Sequence, residues 1–129
     1  MNKFPKGERL NNVKDIETLY AKGDRFMAYP FSVRFIYREH SDNPNMSVLI
    51  VSPKRYQKLS VNRNRAKRLL REAYRLNKHD LQTKIQTNNS QLLLSICLVS
   101  KTMPDFQLTE QKVKYIFDTI ENKIFGETN

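Results

Sequence analysis

The chain has 129 residues, with 23 Lys and Arg against 13 Asp and Glu, a formal charge of +10, 39% apolar residues and one cysteine. That length suits one domain built on one hydrophobic core, and no apolar run approaches the roughly 20 residues that cross a bilayer. The opening MNKFPKGERLNN lacks the apolar stretch of an export signal, and the lone Cys97 excludes an internal disulfide, so the reading is a single domain over 1–129 in a reducing cytoplasm.

In chain order, residues 12–22 read as a helix: Val13, Ile16, Leu19 and Tyr20 recur at helical spacing, and Gly23 stands where a C-terminal cap belongs. Residues 26–39 follow as a strand interrupted early by Pro30. In FSVRFIYR, Phe31, Val33, Phe35 and Tyr37 alternate with Ser32, Arg34, Ile36 and Arg38. The turn-forming HSDNPN (40–45) separates this strand from MSVLIVS (46–52), which is more continuously apolar and is expected to be central. PKRYQKLSV leads into a long helix over 60–78, for which Ser60 or Asn62 is the candidate N-cap. KIQTNNSQ reads as a polar loop, and LLLSICLVS (92–100) as a buried strand in which Cys97 is a small apolar residue. A last helix spans 109–125, with Thr109 as its candidate cap and Val113, Ile116, Phe117, Ile120 and Ile124 inward. The order α-β-β-α-β-α predicts an α/β (α+β) two-layer sandwich with a mixed sheet. In it the first two strands are antiparallel, and the second and third are parallel across the long helix.

The charge is concentrated. Residues 54–78 hold ten Lys and Arg against Glu72 alone, and so carry nine of the ten formal charges. On a helical wheel, Ala66, Leu69, Leu70, Ala73, Tyr74 and Leu76 fall within about 80° of one direction. Asn64, Lys67, Arg68, Arg71 and Arg75 lie opposite, with Arg65 at the flank. A solvated charged face normally mixes signs at i,i+4. Here Lys67/Arg71 and Arg71/Arg75 set like charges four apart, each pair costing a few tenths of a kcal/mol. Such a face calls for an anionic partner, and nucleic acid is the default. A membrane surface fits poorly, because the apolar side lacks tryptophan and is committed to the core. Between Arg63 and Arg75 arginine outnumbers lysine five to one, which favours bidentate phosphate contacts and stacking on exposed bases.

Arg63-Asn64-Arg65, continued as AKRLLREAYR, resembles the RNR signature of the protein subunit of bacterial ribonuclease P. Arg9-Leu10, then Asp15-Ile16 and Leu19-Tyr20 with Gly23, is similar to that family's opening pattern, and VSPKR before the helix resembles the segment closing its strand. The resemblance covers residues 9–122, and the combination of RNRxKRLLRE with D-x-x-x-L-Y-x-x-G some 40 residues earlier is far more specific than an RNR triplet.

This resemblance implies a single ribonuclease P protein-type domain, core about 9–125. Its basic helix would belong to a left-handed βαβ crossover, as in the second domain of a small-subunit ribosomal protein, where handedness rules alone predict a right-handed one. It implies a non-catalytic subunit of a ribonucleoprotein endoribonuclease that removes the 5′ leader of precursor tRNA. Magnesium would be held by the catalytic RNA and none tightly by the protein. Arg63, Asn64, Arg65, Lys67, Arg68 and Arg71 would face the catalytic RNA, with Lys54, Arg55 and Lys58 extending the patch. Ile16, Tyr20 and Arg34 correspond to members of the leader-binding cleft. Ile16 stands where the family has phenylalanine and Arg34 where an aromatic is expected, which makes leader binding more electrostatic here. No side chain is assigned a catalytic or metal-binding role, and no membrane or small-molecule partner is implied. His40 and His79 read as surface residues, and Glu39 with Asp42 lacks the companions of a metal nuclease site. The competing readings are a structural rRNA-binding protein of ribosomal type, which does not explain the D-x-x-x-L-Y-x-x-G helix, and a DNA-binding recognition helix, for which the zipper or helix-turn-helix is missing.

Overall fold

A computed structural model describes residue 10 and residues 12–126. Arg9, half of the Arg9-Leu10 pair, lies outside them. The elements are α1 (Val13–Lys22), β1 (Asp24–Ala28), β2 (Phe31–Arg38), β3 (Asn45–Val51), α2 (Ser60–Asn77), α3 (His79–Thr87), β4 (Gln91–Leu98) and α4 (Phe106–Phe125). The order α-β-β-α-β-α is thus corrected in two places. The region before Pro30 is a separate strand, β1, which turns through Tyr29-Pro30 into β2. The basic helix stops at Asn77, and part of the expected polar loop is a further helix, α3.

The mixed α/β architecture holds. The sheet order is β1-β2-β4-β3, with β2 antiparallel to both β1 and β4, and β3 parallel to β4. β2 and β3 run antiparallel as expected but are separated by β4, so β2 and β4 are the interior strands and β3, expected to be central, lies at an edge. There the backbone N–H of Leu10 donates to the Val48 carbonyl at 3.0 Å. β3 reads as a central strand because both of its faces are covered, Met46 and Val48 by the main core and Leu49 by the small one, although among the described residues one side of its ladder has no strand.

The period-2 alternation divides the sheet between two cores. Phe31, Val33 and Phe35, with Met46, Val48, Leu92, Leu94, Ile96 and Leu98, face α2, α3 and α4. Tyr74 of α2 is fully buried in this layer, edge-on to Phe117 of α4 at 5.8 Å. Removing such side chains from water contributes roughly 1.5–3 kcal/mol each. On the opposite face a smaller cluster of Leu10, Leu19 and Leu93, with Ile16, Ile36 and Leu49 beside it, seats α1. β4 is therefore buried on both faces, as its continuous apolar run requires.

Capping differs from the sequence reading at two of three helices. Asn12 caps α1, its side chain accepting from the N–H groups of Lys14 and Asp15. α2 begins after Leu59 with no side-chain cap, so neither Ser60 nor Asn62 serves. α4 starts one turn earlier than expected: Asp105 accepts from the Leu108 N–H, while Thr109 is buried inside the helix and its hydroxyl donates to the Asp105 carbonyl. Gly23 ends α1 by close approach, since a Cβ there would lie 2.4 Å from the Leu19 carbonyl oxygen.

Candidate RNA-binding surfaces

α2 is fixed along one side by Ala66, Leu70, Ala73 and Tyr74, all buried. Leu69 is half-buried, and Leu76, expected inward, is exposed because the chain turns into α3 immediately after it. The opposite side presents Asn64, Arg65 and Arg68 to solvent, with Lys67 and Arg71 half-buried beside them. Arg65 and Arg68 have no carboxylate partner among the described residues. Arg75 does: its Nε donates to Glu72 at 3.2 Å. This hydrogen bond holds the Glu72 carboxyl below the usual carboxylate range and raises Arg75. The only acid of the segment thus neutralises the C-terminal end of the cationic face and leaves the N-terminal end unopposed.

Arg63 behaves differently from its neighbours. One of its guanidinium nitrogens donates to the carbonyls of Gln57 (3.0 Å) and Lys58 (2.8 Å). The preceding turn is tied down as well: the Tyr56 and Gln57 N–H groups donate to the Pro53 carbonyl, and the buried Gln57 amide donates to the carbonyls of Ser100 and Lys101 at 2.9 and 3.0 Å. Residues 53–59 are thus held at the end of the β3–β4 pair. Lys54, Arg55 and Lys58 stand exposed on them, and the Arg55 guanidinium covers the Tyr56 ring at 5.0 Å.

The second surface is the sheet face that carries α1. Tyr20 is 40% exposed, and its hydroxyl shares a 3.0 Å hydrogen bond with Ser95 Oγ of β4. Arg34 of β2 lies 5.0 Å from the Tyr20 ring centroid and donates to the Tyr20 carbonyl at 3.1 Å. The ring is held at both ends, by a hydroxyl and by a cation. Ile16 is half-buried against the small core, and so also supports α1. The far end of this face is closed by Arg38, which donates to Asp15 at 3.2 Å and to Gln91 at 2.9 Å. Toward the other end α1 stops, and the row Met27, Ser32, Cys97 and Val51 is not covered by the small core. Cys97 is half-buried, less enclosed than a core residue. Burial pushes its thiol up, while the charges of Arg55 and Arg34 pull it down.

Tyr20 and Arg34 are in direct contact, Ile16 packs against the small core, and Arg65 and Arg68 lie apart from them on the outer face of α2. Sequence reasoning missed Ser95. The signal for Ser95 was its polarity within an otherwise apolar strand. His40 and His79 are exposed, and among the described residues no three His, Cys, Asp or Glu side chains gather where they could hold a metal ion. Among the described residues, no helix is long and apolar enough to cross a membrane.

Comparison with known proteins gives one family. A model of the Ribonuclease P family matches residues 4–121. A ribonuclease P protein component of Porphyromonas gingivalis is 38% identical over 112 residues, covering 84% of this chain and 80% of that protein. One from Pseudanabaena is 32% identical over 72 residues, covering 56% of this chain and 60% of that protein. The structure of the Staphylococcus aureus RNase P protein superposes with a TM-score of 0.67 at 16% identity, covering 90% of this chain and 97% of that one.

Proposed function

The chain belongs to the bacterial ribonuclease P protein family, and on that premise we propose how its two surfaces divide the work of a ribonucleoprotein that matures tRNA 5′ ends in the cytoplasm. The outer face of α2, with Asn64, Arg65, Lys67, Arg68 and Arg71, binds the catalytic RNA. Lys54 and Lys58 extend this face, and Arg63 reaches it with the nitrogens not used on the 53–59 turn. The sheet face beside α1, with Tyr20, Arg34 and Ile16, receives the single-stranded 5′ leader of precursor tRNA. Arg55 stands between the two.

The carrying observation is that one domain holds a cationic helix, whose Arg65 and Arg68 have no carboxylate partner among the described residues, on one side of the sheet and a pinned, half-exposed aromatic ring on the other. The helix supplies affinity that depends on phosphate charge and salt. The ring supplies a platform on which any base can stack, worth roughly 1–3 kcal/mol per base. In this reading the metal that activates water belongs to the RNA. The protein's residues bind and orient the substrate and perform no bond-breaking step.

Cleavage of precursor tRNA by a bacterial-type ribonuclease P RNA at limiting magnesium, with and without the protein, tests this reading. Clear stimulation that is abolished by Arg65→Glu/Arg68→Glu is expected. No stimulation of a correctly folded cognate RNA would overturn it in favour of a structural RNA-binding role.

A further inference from the structure

A cavity beside the turn from β1 into β2 belongs to neither of the two surfaces. It holds about 600 Å³ and is walled by Tyr29, Pro30, Met103, Pro104 and Leu108, a size and an apolar lining usual for sites that take small planar groups. Pro30 and Pro104 are buried, whereas Tyr29 is 63% exposed. Asp105 also lines the cavity, but its carboxylate is engaged as the α4 cap, accepting from the Leu108 N–H at 2.8 Å. Lys112, one helical turn beyond Leu108, lines the cavity with no carboxylate partner among the described residues, and the exposed Lys101 of the same loop has none either. The loop that forms this wall is bonded to the basic motif. Gln57 donates to the carbonyls of Ser100, itself a lining residue, and Lys101, and the Gln57 carbonyl accepts from Arg63 at 3.0 Å. The cavity is therefore continuous with the N-terminal end of the cationic face, and it is built on α4, in the helical layer opposite α1.

We propose that this cavity receives one unpaired nucleotide of the catalytic RNA, its base stacked on Tyr29 and its phosphate held by Lys112 with Lys101 beside it. The proposal adds a site to the two surfaces and rests on the reading of α2 as the face for the catalytic RNA. A base turned out of an RNA loses its stacking neighbours, and an aromatic ring facing proline and leucine replaces them without demanding a particular base. An apolar slot with an unpaired ammonium group at its edge favours an aromatic ring that carries negative charge, which describes a nucleotide. The 5′ leader is the poorer occupant, because Tyr20 and Arg34 lie across the sheet on the α1 face. The consequence is register. Phosphate contacts on exposed arginines tolerate sliding and rotation, and a single base seated in a cavity fixes the protein in one position on the RNA.

The test probes the unpaired bases of the cognate catalytic RNA chemically, free and bound to the full-length protein. One base protected by the wild type should become reactive again with Tyr29→Ala and stay protected with Tyr29→Phe, which keeps the ring. Thr102→Trp, which fills the cavity and leaves Tyr29 in place, should release the same base, so the result does not hang on one variant. Removing that base from the RNA, with its sugar and phosphate retained, should weaken wild-type binding by about tenfold and weaken Tyr29→Ala no further. Lys112→Gln should lower the magnitude of the log–log salt slope by about one. Unchanged protection and affinity in both Tyr29→Ala and Thr102→Trp, while Arg65→Glu/Arg68→Glu still abolishes RNA binding, would overturn the cavity site and leave the α2 reading standing. RNA binding that is indifferent to Arg65→Glu/Arg68→Glu would overturn both. Equal release of the base by Tyr29→Phe and Tyr29→Ala would overturn stacking as the mode of capture. A protected base that lies in the leader of a bound precursor tRNA, with none in the catalytic RNA, would overturn the choice of occupant.

Discussion

On the outer face of α2, Arg65 and Arg68 stand in solvent without carboxylate partners among the described residues; on the sheet face beside α1, Arg34 is anchored to a carbonyl and an aromatic ring before any ligand arrives. The first arrangement suits long-range attraction to a large polyanion, since mobile exposed guanidinium groups adapt to many phosphate positions and their effect is screened by salt. The second suits a short, single-stranded ligand, because the groups that meet it have already lost their rotamer freedom. Arginine thus serves attraction in one place and alignment in the other. Arg63 belongs to neither class alone: it sits in the basic motif, yet spends a nitrogen on the turn that presents Arg55.

The largest expected effect breaks the helix face. Arg65→Glu/Arg68→Glu should weaken binding to ribonuclease P RNA by about 3 kcal/mol, roughly a hundredfold, if each arginine contributes one charge-assisted contact. The log–log salt slope should fall in magnitude by about two, and precursor tRNAs with and without a leader should suffer equally. A loss confined to long-leader substrates would merge the two surfaces into one.

Next in size is Tyr20→Ala, which should cost about 1–3 kcal/mol in affinity for a long-leader precursor and leave a leaderless one unchanged. Equal losses on the two substrates would mean that Tyr20 only packs α1 against the sheet. Arg63→Ala should come third and separate structure from binding within the motif itself. Loss of two hydrogen bonds to backbone carbonyls should lower stability to urea by about 1 kcal/mol, with a salt slope reduced by no more than about one. Wild-type stability together with a larger slope change would return Arg63 to the class of Arg65 and Arg68.

Much of this was legible in the chain. The 3.6-residue period of 60–78 announced α2 and its buried side, and the alternation of FSVRFIYR correctly divided β2 between two faces, placing Arg34 and Arg38 together. Other features were hidden for physical reasons. β1 is an edge strand with largely exposed side chains, so DRFMA shows no clean alternation. α3 buries only Leu81 and Ile85, one turn apart, too few to mark a period. The strand order is a property of pairing: β3 and β4 are both apolar runs, and nothing in either says which lies between two neighbours. Cys97 reads as core because its neighbours in sequence are apolar, whereas its own side faces the half-covered sheet.

That position makes Cys97 the finest probe of the comparison. Burial places its thiol above the ordinary range, with Arg55 and Arg34 acting in the opposite direction. Alkylation proceeds through the thiolate, so its rate at neutral pH should be slow and should climb as pH rises toward that elevated value. A leader bound on this face would cancel their pull with its phosphates and raise the thiol further. Its backbone would also cover the row that contains Cys97. Both effects have the same sign: a long-leader precursor should slow alkylation several-fold at each pH and shift the profile upward. A leaderless tRNA bound through the α2 face should do neither. If the two RNAs protect Cys97 alike, the α2 face and the α1 sheet face respond as one surface, and the division between attraction and alignment does not hold.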